Sequence, residues 1–191
     1  MDAYSVVLFV HIVGVLGIFV ALGLEWTGLR QIRAALVPEQ VRAWMGILNS
    51  TRRMGFASMG TTVITGIYMM LTDTGLVPWL YVSIGALVLV ILLSVVLTAP
   101  RMMAVGQTMA MGKGTLTSNF YSLANQPLLR VSIQTRIALA LGIVFLKITK
   151  PELVGSLLAI GIAILLGLAS SLPLTRGEQA REGSSTDPSH P

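Results

Sequence analysis

The chain has no cysteine, which excludes disulfides, thiolate metal sites and cysteine nucleophiles. Charge is scarce as well: 11% of the 191 residues are Asp, Glu, Lys or Arg against 54% hydrophobic, and the mean hydropathy is +0.80. That balance lies outside the soluble range and leaves no room for a separate soluble domain. Histidine occurs twice, and one of the two is His190 in the polar tail. A bis-histidine haem therefore lacks its second ligand, and a methionine such as Met59 or Met69 would have to serve. Also missing are a phosphate-binding glycine loop, a serine-histidine-acid set, paired zinc ligands and an intramembrane carboxylate pair. Catalysis is accordingly the minor expectation. The formal charge of +5 and pI near 10.1 are carried by bases spread between apolar runs. They form no basic domain, so nucleic acid is not an expected partner.

What is present is a series of long apolar segments, about residues 4–24, 54–71, 78–98, 131–149 and 153–172. Each approaches the roughly 20 residues that cross about 30 Å of hydrocarbon. The expected fold is all-α, an integral membrane bundle of five transmembrane helices occupying residues 1–175, followed by a disordered cytoplasmic tail at 176–191. "MDAYS" opens with an acid where a secretory signal carries a base, and the first helix is expected to be retained.

The first connection holds Arg30, Arg33, Arg42, Arg52 and Arg53, the second holds Asp73 and no base, and the third brings Arg101, Lys113 and Arg130. The positive-inside rule then places the amino terminus outside a bacterial plasma membrane and the carboxyl terminus in the cytoplasm, with Trp79 and Tyr81 as outer-interface anchors. Lys147 and Lys150 fall on the outer side and need local partners. Leu29, Ile32 and Leu36, then Val41, Trp44, Met45 and Leu48, repeat at helical spacing. They predict two short amphipathic helices on the inner leaflet, the second opened by Pro38. Ser118 is a candidate cap for a helix that kinks at Pro127 into the fourth span, and "VGQTMAMGKGTLTSN" before it is expected to be mobile.

Counting along the helices puts His11 about seven residues, roughly 10 Å, below the outer surface. Thr65, Tyr68, Ser83 and Lys147 fall at or above that level, which predicts a polar cluster on the outer side. His11 is either a metal or haem ligand or a neutral imidazole hydrogen-bonded to Tyr68 or Thr65. Glu25 lies level with Arg53 and Arg136 near the inner interface, and a carboxylate there pairs with one of them as a latch. Snorkelling accounts for Arg136 and Lys147, with a cationic stripe for an anionic solute or headgroup as the alternative. Small residues at Ala57, Thr61 and Thr65, flanked by Ser58, Thr62 and Gly66, mark a close-packing face that Gly14, Gly17 and Gly23 can meet. Pro151 and Glu152 fit the first turn of the last helix. Met102, Met103, Met109 and Met111 supply thioethers that suit monovalent copper, although methionine is also a common interface filler.

"LFVHIVGVLGIFVALGLE" and "RIALALGIVFLKITKPELVGSLLAI" resemble a group of uncharacterised bacterial multi-pass membrane proteins distantly similar to copper-resistance protein D. The resemblance covers two of the five spans and singles out His11, implying copper or haem as cofactor. Three functions are open at this point: a small carrier or accessory subunit with another membrane subunit or a second copy as partner, a redox or metal protein built on His11, and a lipid- or anion-binding protein.

Overall fold

Each apolar segment lies within a helix, and most of these helices run well past the segment that announces them. The structure, a computed structural model, describes residues 2–75, 77–111, 116 and 118–171, apart from the side chains at 73, 74, 109–111, 118 and 119. Among these residues the chain is all-helical, with five helical runs long and apolar enough to cross a membrane. Asp2 caps the first helix by accepting from the Ser5 N–H at 2.9 Å, and hydrogen bonds from the side chain and backbone of Ser5 hold its carboxyl below the usual value.

Helix α1 (Ala3–Ala34) and helix α2 (Pro38–Met69) contain 32 residues each. That is about 48 Å, roughly 18 Å more than the hydrocarbon layer. The two short interfacial helices are therefore not separate elements: Leu29 and Ile32 continue α1, and Val41 to Leu48 open α2. No proline interrupts either stretch, and arginines appear on a helix without ending it when the backbone bonds continue beneath them. Pro38 does start its helix, as its spacing predicts.

After a wider π turn at Met70–Thr74, Gly75 takes φ 64° and returns its N–H to the Met70 carbonyl. Helix α3 (Pro78–Leu92) then passes through a second π turn, Leu93–Thr98, directly into α4 (Ala99–Met111). The third span thus does not end at Thr98. Pro100 cannot donate to the preceding turn and its ring crowds the carbonyl four residues back, so the chain widens just before it, with Ala99 N–H bonded to the Ser94 carbonyl. Helix α4 also takes up the first part of the segment expected to be mobile, while residues 112–115 and 117 lie outside the described residues, as does the tail from Arg176.

Helix α5 (Ser118–Ala124) and helix α6 (Pro127–Thr149) are separated by a break, not joined through a kink, because Pro127 occupies the first turn of α6. Arg33 holds that break, Nε donating to the Ala124 carbonyl at 2.8 Å and Nη2 to the Gln126 carbonyl at 3.2 Å. Lys150, at φ 47°, ends α6, and α7 (Leu153–Ser171) begins beyond Pro151 and Glu152, whose carbonyl accepts from Ser156 N–H.

Packing divides the helices into two blocks. In the first, α1 and α2 form a hairpin in which Gly14 faces Ser58 and Thr62, Gly17 faces the Ser58 side chain, and Gly28 faces Leu48. Gly23 meets open space and takes no part. In the second, α6 packs on α7 and α3, with Gly142 against Ile160 and Ala163 and Gly167 against Thr135. Leu29 on α1 joins the blocks by packing on Leu129 and Ile133 of α6. At the arginine-rich end a further core of Ile32, Val41, Val105 and Phe120 ties α1, α2, α4 and α5 together. Among the described residues α2 meets α3 more thinly, with Met59 packing on the core of Ala86, Val90 and Leu139.

Candidate functional site

The gap between α2 and α3 is a cavity of about 280 Å³ that opens sideways. Its walls are apolar, with Ile18 and Leu22 from α1, Phe56 and Met59 from α2, and Ile91 with the π-turn residue Val95 opposite. Phe56 and Val95 are exposed, so at membrane depth the opening gives onto lipid. Polar groups form a band across the wall, Glu25, Asn49, Thr51, Arg52, Ser94, Thr98 and Arg136, with Ile18, Phe56 and Met59 on one side of it and Met45, Met102 and Met103 on the other. A concave apolar site with a few convergent polar groups is the usual form of a small-molecule site.

Glu25 and Arg136 pair within that band. Arg136 Nη2 lies 2.7 Å from Glu25 Oε2, and the arginine side chain is 5% exposed against 24% for the glutamate. The expected latch thus joins α1 to α6, while Arg53 lies exposed on α2. Snorkelling does not describe Arg136, because its guanidinium turns into the bundle. There Nη1 donates to Ser94 Oγ at 2.6 Å, and the Ser94 hydroxyl donates to the Val90 carbonyl at 2.9 Å. Nε has no acceptor among the described residues, and the Nη2 hydrogens are not aligned on Glu25 despite the short ion contact. Next to this pair, Thr98 and Ser132 hydroxyls meet at 2.9 Å and Ser132 bonds the Leu93 carbonyl, which fixes the π turn against α6.

At the opposite end His11 Nδ1 lies 2.9 Å from Thr65 Oγ1. The Thr65 hydroxyl spends its single hydrogen on the Thr61 carbonyl at 2.6 Å, so in its contact with His11 it accepts from Nδ1–H. Lys147 sits over the Trp79 ring at 5.3 Å from its centroid. Trp79 is buried under that ammonium, so of the two expected interface anchors only Tyr81 faces outward. Ser83 is buried and donates to the Trp79 carbonyl, while Tyr68 is exposed and stands apart. His11 lines neither the groove nor the smaller pocket between Phe9 and Thr61.

The donors that the sequence offered to copper or haem are divided. His11 contacts Thr65 and the Gly66 backbone region, Met102 and Met103 line the far end of the groove, and the side chains of Met109 and Met111 lie outside the described residues. Among the described residues no three His, Cys, Asp or Glu side chains come together. Among the described residues these donors do not converge on a copper or haem site. Residues that sequence reasoning missed are Ser94, Asn49 and Arg52. The signal available for Ser94 is its place in the apolar third span, where it shares the few aliphatic hydroxyls with Ser83 and Thr98. No protein-family model, curated protein or solved structure matches the chain.

Proposed function

We propose that the protein is a small membrane carrier that takes an amphiphilic molecule from the bilayer into the groove between its two helical blocks. One observation supports this reading above the rest: the groove wall carries an ion pair of a buried Arg136 and a half-buried Glu25. A charge buried at membrane depth is costly unless it has a task or a partner, and this pair leaves part of the guanidinium unsatisfied beside an apolar cavity. Two blocks held mainly at the arginine-rich end also suit a site whose wall moves. In this reading the membrane is the bacterial plasma membrane, and the arginine-rich end faces the cytoplasm.

The test is photolabelling of the protein in lipid nanodiscs with a diazirine-bearing amphiphile. Labelling concentrates on Ile18, Phe56 and Ile91 and is competed by excess unlabelled amphiphile. Uncompeted labelling spread evenly over lipid-facing residues such as Phe9, Leu141 and Leu165 would show an ordinary lipid surface and end the proposal.

A further inference from the structure

We infer that the groove takes a single-chain amphiphile with a carboxylate head, and that Glu25 occupies the place of that head on Arg136 when the groove is empty. The inference rests on the carrier reading and names its ligand class.

The guanidinium gives the first observation. Its Nε and Nη2 form one edge, two parallel donors with the spacing of the two oxygens of a carboxylate. Both are buried without a properly aligned acceptor, in a residue only 4% exposed overall, while Nη1 on the other side is satisfied by Ser94. Glu25 touches this edge through one oxygen at Nη2 and leaves Nε bare. It neutralises the arginine without filling its fork. A ligand carboxylate engaging both donors would improve on Glu25, whose partly exposed side chain is free to turn toward the groove.

Charge and volume supply two further constraints. Arg52 and Arg136 against Glu25 leave one net positive charge on the cavity wall, which a monoanion neutralises and a phosphate dianion overshoots. The cavity, about 280 Å³, falls just below the roughly 300–1,000 Å³ of drug-sized sites, so it holds a head and the start of one chain. The remainder of the chain lies along Phe56 and Val95 into the lipid. Exchange of one carboxylate for another also means that the empty protein never presents a bare guanidinium to hydrocarbon.

The experiment uses the full chain in phosphatidylcholine nanodiscs with a fluorescent long-chain fatty acid, its methyl ester and the alkyl phosphate of the same length. The acid binds saturably, and the ester binds at least about tenfold more weakly. Arg136→Gln lowers the affinity for the acid to that of the ester. Glu25→Gln tightens the acid several-fold, because the internal competitor loses its charge, and this variant decides the matter should Arg136→Gln fail to fold. Equal binding of acid and ester, weaker binding by Glu25→Gln, or tighter binding of the phosphate would each overturn the carboxylate inference while leaving the carrier reading intact. Absence of saturable binding by all three probes would remove the carrier reading itself.

Discussion

At the scale of single residues, the Glu25–Arg136 contact makes a definite demand on stability. A buried ion pair that loses one partner costs about 3–5 kcal/mol, whereas replacing both by apolar groups of similar volume is often neutral. The arginine is the more deeply buried partner, so Glu25→Leu leaves the uncompensated charge in the worse place. We expect Glu25→Leu to be strongly destabilising and the double variant Glu25→Leu, Arg136→Met to recover most of the loss, measured as reversible unfolding in mixed micelles. A double variant as unstable as the two single losses combined would mean that the contact adds nothing to the joint between α1 and α6. The sequence narrowed Glu25 to two partners because depth is readable by counting along a helix. It did not choose between them, because the choice depends on which way each helix is turned. Arg53 faces away from α1, while Arg136 is turned inward by its bond to Ser94. The His11–Thr65 contact was readable for the same reason, and Lys147 over Trp79 was not, since a tryptophan at that depth fits an interface anchor as well as a buried partner.

At the scale of elements, glycines separate close packing from open surface. A Cβ at Gly167 would stand 2.6 Å from Thr135 Cα, a backbone atom that cannot swing away, whereas Gly23 and Gly161 have nothing within 4 Å. Gly167→Ala should therefore part α6 from α7 and lower the unfolding temperature. Gly23→Ala and Gly161→Ala should be neutral or gain up to about 1 kcal/mol from helix propensity. Equal behaviour of the three variants in thermal unfolding would contradict the α6–α7 contact. The existence and type of the spanning helices were legible from apolar length alone. Their ends were not, since Glu25 after the first apolar segment and Arg53 before the second end the apolar length without ending a helix, and α1 and α2 continue past them by packing against one another and on α5. The proline positions show the same division: Pro38, Pro78 and Pro127 start helices, whereas Pro100 is absorbed by a widened turn that only the tertiary contacts of Ser94, Thr98 and Ser132 reveal.

At the scale of the whole molecule, the groove exists because two well-packed blocks meet along a narrow line. The α1–α2 hairpin and the α3–α6–α7 set each bury small residues against one another, while the joint between them relies on Leu29, Met59, the ion pair and the core at the arginine-rich end. Uptake of a ligand then requires α2 to move relative to α3, a rigid-block motion of the hinge kind. The natural absence of cysteine makes this directly testable, since any thiol introduced is the only reactive one. A short bifunctional crosslink between Phe56→Cys and Ile91→Cys, on opposite walls, should abolish uptake of an added amphiphile when formed first and trap the amphiphile when formed after loading. A crosslink between Val10→Cys and Thr61→Cys, both within the α1–α2 hairpin, should change neither. Uptake that persists through the Phe56–Ile91 crosslink would place the entry path elsewhere, and free release after loading would mean that this wall does not move.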